Sequence, residues 1–236
     1  MKKILIYSGQ DQIGDAIIKL PFLFYIRKEF PTSKIIWMTN WGSVYKKELF
    51  LYICDYIDEV WDEANLNFFP WQKISNKYSL ENEKFDLIID TRKFIKETIV
   101  LKRIKTKEFI SRSAKGVFST IKINNIKKER QYYLNDLLDL ITLYTGNKII
   151  NNFSIKIPKS IDDKISKIFF KDEKYFGLAP GAGMKKKIWD FNNFINLAKY
   201  LQSKKFKIVF FLGPMEQNLK IKLNNNIKNI IYPEEL

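Results

Sequence analysis

The 236-residue sequence contains no histidine and a single cysteine, Cys54. Without histidine, His-based acid/base chemistry and nearly all zinc-site patterns are excluded. A lone cysteine can form no intrachain disulfide and no cysteine-based metal cluster. Arginine is scarce, standing only at positions 27, 92, 103, 112 and 130, while lysine is abundant. No run approaches about 18 uninterrupted apolar residues, which argues against a transmembrane helix. The opening MKKILIY has the basic residues of an export signal, but its apolar run breaks at Ser8-Gly9 and meets charge at Asp11. It therefore reads as a first β-strand. A cytoplasmic location follows, with a peripheral place on the inner face of the cytoplasmic membrane as its extension.

Hydrophobic content of 46% and aromatic content of 15% suit a globular chain with one large core or two small ones. The net charge of +15 invites nucleic-acid or anionic-membrane readings. The lysines, however, accompany abundant isoleucine and asparagine throughout, which is as much a residue preference as an electrostatic footprint. No recognition-helix, RNP or zinc pattern supports nucleic acid as a partner. Two basic runs, Lys102 to Lys107 and Met184 to Lys187, stay open between solvated faces and contact surfaces.

Lys3 to Tyr7 and Lys34 to Met38 read as parallel strands joined by a helical segment from Gly14 to about Glu29. Pro21 interrupts that helix's hydrogen-bond ladder and predicts a kink or a fresh start. Tyr56 to Trp61 is a shorter strand, Asn65 to Glu83 an irregular aromatic stretch, and Phe85 to Asp90 a strand ending on a carboxylate. A helix from Lys93 to about Lys102 and a brief strand at Glu108 to Ile110 follow. The apolar stripe Tyr133, Leu134, Leu137, Leu138, Ile141 and Tyr144 makes Lys128 to Thr145 helical, stopped at Gly146.

A second βαβ unit opens at Tyr175 to Ala179. It continues through a helix from Asp190 to Lys204 and a strand from Phe206 to Phe211, with a short strand near Ile227 to Tyr232. The expected organisation is a Rossmann-like domain at 1–155, a linker at 156–172 and a partial second domain at 173–236.

In parallel sheets ligands gather at the carboxyl ends of strands, and three features fall there. The first is Ser8 to Asp15, with Gly9, Asp11, Gly14 and Asp15. It matches neither the G-x-G-x-x-G fingerprint nor a Walker A loop. Asp15 at a helix start suits a capping carboxylate and an ionised base equally. The second is Pro180-Gly181-Ala182-Gly183 before Lys185, Lys186 and Lys187, which suits either a phosphate cradle or a flexible turn with solvated lysines. The third is Gly213-Pro214-Met215-Glu216, where Glu216 can accept hydrogen bonds from sugar or ribose hydroxyls.

The segment GDAIIKLP at 14–21, followed by Phe30-Pro31 and the strand at 34–38, resembles the amino terminus of the bacterial lipopolysaccharide heptosyltransferases, glycosyltransferase family nine. FDLIIDTR at 85–92, ERQYYLNDLLDLI at 129–141, LAPGAGMKKKIWDFNNFINLAKYL at 178–201 and FLGPMEQ at 211–217 are similar to later family segments, in the same order. The resemblance implies a GT-B fold: α/β, two Rossmann-like parallel-sheet domains, the second incomplete, with the active site in the cleft between them. It implies an inverting transfer of heptose from ADP-heptose to a lipopolysaccharide inner-core or other surface-glycolipid acceptor at the inner membrane surface.

It further implies Asp15 as the catalytic base, with Lys187 near the donor diphosphate and Glu216 near donor sugar or ribose. Gly181 and Gly183 complete the donor loop, and Gly14, Arg103 and Lys105 are assigned to acceptor or membrane contact. No cofactor beyond the nucleotide-sugar substrate is implied, and no metal is required if lysine stabilises the leaving diphosphate. The usual Pro after Lys-x-Trp is Asp190 here.

Family members usually exceed 300 residues and carry a late Thr-Gly-x-x-His element that this sequence does not reach. Residues 1–236 are therefore expected not to form a complete active enzyme. The sequence reads as a fragment, as a shortened relative completed by a partner chain, or as a catalytically incomplete binding domain.

Overall fold

The computed structural model describes residues 1–66, 74, 77–121 and 132–233. The chain divides into two compact units, Met1–Lys156 and Ile157–Leu236. The first is built on five parallel strands: β1 (Lys3–Asp11), β2 (Lys34–Ser43), β3 (Glu59–Trp61), β4 (Lys84–Asp90) and β5 (Lys105–Ser111). Their order in the sheet is β3-β2-β1-β4-β5, so the chain winds outward from β1 in one direction and then restarts on its other side. The switch point lies between β1 and β4, where Ile4 to Tyr7 run in register with Leu87 to Asp90.

Both faces of this sheet are buried, which explains the unbroken apolar runs of its strands. On one face Ile4, Ile6, Trp37, Leu87 and Ile89 pack against α1 (Ile13–Glu29) and α4 (Tyr133–Thr145). On the other, Leu5, Tyr7, Ile36, Met38 and Ile88 meet Val100 and Leu101 of α3 (Ile95–Leu101). A four-residue helix, α2 (Phe50–Ile53), had no counterpart among the sequence expectations.

Several boundaries differ from those expectations. β1 and β2 continue past Tyr7 and Met38 to Asp11 and Ser43. The stretch expected to be a glycine-rich loop is thus strand up to Asp11. Register shifts on both sides of Gly9, itself at φ +74°, let the pair of strands bulge while pairing continues to Asp11. α1 runs through Pro21 as one helix. Pro21, Phe22, Leu23, Tyr25 and Ile26 are all buried there. Each large apolar side chain contributes about 1.5–3 kcal/mol, so together they outweigh the ~3 kcal/mol a helical proline costs.

The expected strand Tyr56 to Trp61 is formed only over Glu59–Trp61. β5, by contrast, is longer than the expected Glu108 to Ile110. α4 ends at Gly146, left-handed at φ +77°, whose N–H donates to the Thr142 carbonyl at 2.9 Å. Residues 128–131 of the expected helix, and 67–73, 75 and 76 of the aromatic stretch, lie outside the described residues.

The second unit has a smaller parallel sheet of β6 (Tyr175–Leu178) and β7 (Lys207–Phe210). Its helices are α5 (Lys159–Ile168), α6 (Phe191–Ser203) and α7 (Leu219–Asn226). α5 occupies the stretch read from sequence as linker. The short strand expected near Ile227 to Tyr232 is reduced to a single parallel bridge, Val209 to Ile231. Leu178, Ile195, Ala198, Ile208, Phe210 and Leu223 form this unit's core. Asp190 caps α6, its carboxylate accepting from the Asn192 N–H at 2.8 Å. No helix among the described residues is long and apolar enough to cross a membrane.

Candidate active site

At the switch point of the first unit, a pocket of about 350 Å³ opens beyond the carboxyl ends of β1 and β4. This is where an open α/β sheet leaves a crevice, because the chains leaving the two strands diverge to opposite sides. β1 and α1 supply Gln10, Asp15 and Lys19 to its lining, and α4 supplies Tyr133. The segment after β4 supplies Thr91, Arg92, Lys93 and Phe94.

Asp15 sits in the first turn of α1 and is exposed. It does not cap the helix: the N-cap position is Gln12, and no side chain closes that end. Of the two roles open from sequence, local capping is therefore removed. Gly14 beside Asp15 is exposed, and a Cβ there would meet no atom within 4 Å, so this turn is unobstructed.

Asp11 has a different part. It is buried, and its carboxylate accepts from Ser8 Oγ at 2.7 Å and from the Trp37 indole N–H at 2.9 Å. It also forms an ion pair with Lys19, whose ammonium donates to Ser8 Oγ at 2.6 Å. The Lys19 side chain is only 2% exposed and reaches the pocket wall one turn beyond Asp15. Sequence reasoning missed this pair. Its signal was Lys19 standing at three-, four- and seven-residue spacing from Ala16, Leu23 and Ile26, the buried side of α1, a place a lysine holds only with a partner.

Gly9 also has a spatial reason. A Cβ at that position would lie 3.0 Å from Arg92 Nε, so the arginine side chain crosses directly over the bulged strand. Arg92 stacks on Phe94, 4.7 Å from the ring centroid, with Nε 3.5 Å from Glu97 Oε2. Beneath it Asp90 is fully buried, accepting from Thr98 Oγ1 at 2.6 Å, Ser111 Oγ at 2.9 Å and the Arg92 N–H at 2.9 Å. Burial nevertheless pushes its carboxyl up to about 6. Burial likewise pushes the Tyr133 phenol up to about 12, so it stays protonated at neutral pH.

In the second unit the structure joins two of the sequence-read motifs. Cβ atoms built on Gly181 and Gly213 would lie 2.7 Å from the Glu216 carboxyl carbon and 2.6 Å from Glu216 Oε2. Glu216 thus lies against both loops that leave the carboxyl ends of β6 and β7, and a side chain at either glycine would displace its carboxylate. Gly183 is unobstructed. Lys187 is exposed in a single helical turn, Lys185–Lys187, on the same loop.

Arg103 and Lys105 are not brought to the pocket. Lys105 opens β5, while Ser111 at its other end pairs with Asp90. Six strand steps of about 3.3 Å place that amino-end edge roughly 20 Å from the carboxyl ends.

The family model for glycosyltransferase family 9 (heptosyltransferase) matches residues 74–230. The chain belongs to this family. Solved family structures share its two-unit GT-B architecture of parallel sheets, and in this chain the second sheet is much the smaller. The glycosyl transferase family 9 protein from Veillonella parvula DSM 2008 is 17% identical at a TM-score of 0.64, with 98% of this chain and 68% of that one covered. E. coli heptosyltransferase WaaC with ADP-2-deoxy-2-fluoro heptose is 15% identical at a TM-score of 0.66, covering 99% and 76%. E. coli ADP-heptose lps heptosyltransferase II is 14% identical at 0.61, covering 98% and 72%. No curated protein sequence matches the chain. Family membership makes this a glycosyltransferase-type protein, and its pocket at the β1–β4 switch point lies where such a fold binds ligands.

Proposed function

We propose that the protein is an inverting glycosyltransferase that moves heptose from ADP-heptose to a lipopolysaccharide inner-core or other surface-glycolipid acceptor, on the inner face of the cytoplasmic membrane. One observation carries the reading: Asp15 is an exposed, non-capping carboxylate on the wall of a pocket at the switch point. The solved WaaC structure with ADP-2-deoxy-2-fluoro heptose supports the donor class.

In this mechanism Asp15 takes the proton of an acceptor hydroxyl as its oxygen attacks the anomeric carbon. The new C–O bond forms on the face opposite the breaking bond to diphosphate, and ADP leaves with the bonding pair. Lys187 and the backbone N–H groups of Gly181 and Gly183 stabilise the charge that develops on the diphosphate. Glu216 accepts hydrogen bonds from donor sugar or ribose hydroxyls. Arg103 and Lys105, at the far edge of the first sheet, are assigned to the anionic membrane surface rather than to the acceptor sugar.

Asp15→Asn is the decisive variant. It should lower ADP release from ADP-heptose in the presence of acceptor by roughly 100-fold, with an unchanged melting temperature and unchanged ADP affinity. A lowered melting temperature with normal turnover in the folded fraction would reject the base. ADP-heptose binding without transfer to any inner-core acceptor would identify a binding domain instead.

A further inference from the structure

Among the described residues, the lining of the switch-point pocket carries three cations, Lys19, Arg92 and Lys93, and each already has a carboxylate. Lys19 is paired with Asp11, both of them buried. Arg92 Nε faces Glu97 Oε2 at 3.5 Å, and its guanidinium is stacked on Phe94. Lys93 Nζ lies 2.9 Å from Asp136 Oδ2. Arg112 joins that group, 3.1 Å from Asp136 and 3.5 Å from Asp139.

Taken as groups, Lys19 cancels Asp11, Arg92 cancels Glu97, and Lys93 with Arg112 cancels Asp136 with Asp139. Asp15 is left over, on the same lining and in no ion pair among the described residues. The pocket is therefore negative, although three lining cations suggest the opposite. An anionic guest could recruit one of these cations only by stranding its partner. Asp11, Glu97 and Asp136 are 3%, 9% and 3% exposed, and a buried carboxylate left without its cation is costly. Such a guest would also meet the charge of Asp15.

The rest of the lining suits a neutral guest. Tyr133 and Phe94 are 38% and 58% exposed, and they offer flat aromatic surface to the C–H face of a sugar ring. Gln10 is exposed beside them with an amide that can both donate to and accept from hydroxyls. We infer that the acceptor sugar held beside Asp15 is uncharged, and that Asp11, Glu97 and Asp136 set this specificity by neutralising the cations around it. This rests on the glycosyltransferase reading, which supplies the acceptor, and it narrows the class of sugar that can attack.

The test is a titration of the intact 236-residue protein, without donor, followed by ligand-observed NMR. The probes are glucose, mannose, glucuronate and glucose 6-phosphate. Burial raises the Glu97 carboxyl, so pH 8 is used to keep it ionised. At least one neutral sugar should bind roughly 10-fold more tightly than either anion, the scale of one uncompensated charge at a partly screened distance. Glu97→Gln leaves the charge of Arg92 uncompensated, and should raise affinity for an anionic sugar about 10-fold while the neutral sugar stays within about twofold. Asp136→Asn should act in the same direction through Lys93, by less, because that side chain is 40% exposed and better screened. Loss of stability cannot produce a gain of this kind.

Anionic sugars that bind as tightly as neutral ones or more tightly, no binding of either neutral sugar, or no gain in either variant overturns the inference. The outcomes separate it from the proposed function. Neutral preference without heptose transfer rejects the latter alone, and transfer without neutral preference rejects this one alone.

Discussion

Replacing Lys19 by methionine should unfold the first unit far more easily than any neighbouring surface change. The ammonium and the Asp11 carboxylate are 2% and 0% exposed, so neither is stabilised by bulk water. Methionine fills most of the volume but leaves the Asp11 charge with only the Ser8 hydroxyl and the Trp37 indole as donors. Stranding one member of a buried ion pair typically costs about 3–5 kcal/mol. For a unit of this size each kcal/mol lowers the melting temperature by about 2–4 °C, which predicts a fall of roughly 10 °C or more.

The companion Asp11→Asn/Lys19→Met removes both charges; its amide oxygen still accepts from the Trp37 indole, and its NH2 faces Ser8 Oγ, which turns to accept. It should lie within about 2 kcal/mol of the parent protein. Urea unfolding at neutral pH reads both values, and fluorescence of Trp37, bonded directly to Asp11, reports this unit. A loss below about 1 kcal/mol for Lys19→Met, or a double variant no better than the single, would refute the buried-pair reasoning.

Asp90 sets a pH dependence. Its carboxyl is raised to about 6 in the folded protein, so between about pH 4 and 6 the native state holds a proton the unfolded chain has lost. Its contribution to stability is therefore present below about pH 4 and is lost as pH rises through 6, by up to about 3 kcal/mol. Urea midpoints of wild type and Asp90→Asn should diverge over that window, and parallel curves would remove the claim. Gly181→Ala would press a methyl into the Glu216 carboxylate, which sits at the end of a flexible side chain. It should shift stability by less than about 1 kcal/mol yet weaken ADP-heptose binding, measurable by calorimetry. Lys187→Ala should weaken ADP binding more than Lys186→Ala does, and equal small effects would make this loop a solvated lysine run.

Local chemistry made much of the fold readable. The strands of the first sheet are apolar because both faces are buried, and the α4 stripe and the Gly146 stop follow from helical period and left-handed backbone. The order of family-like segments was equally legible, because it is a property of the chain itself. The boundaries were less so. Ser8 to Asp11 has loop composition, yet a bulge keeps it in the sheet, and Pro21 breaks isolated helices but not one whose flanking residues are buried.

At the site, sequence placed Asp15 at a helix start but could not choose between cap and base, since both need the same residue at the same position. The structure removed the cap by placing Gln12 at the helix end and a pocket beside Asp15. Only the tertiary fold could join Gly9 to Arg92 across 83 residues, or Gly181 to Glu216 across 35. Only the strand order β3-β2-β1-β4-β5 turned the residues after β4 into a second wall of the same pocket. Periodicity and propensity act within a few turns of chain, whereas a site at a switch point is made by two strands that the sequence keeps far apart and the hydrogen-bonded sheet sets side by side.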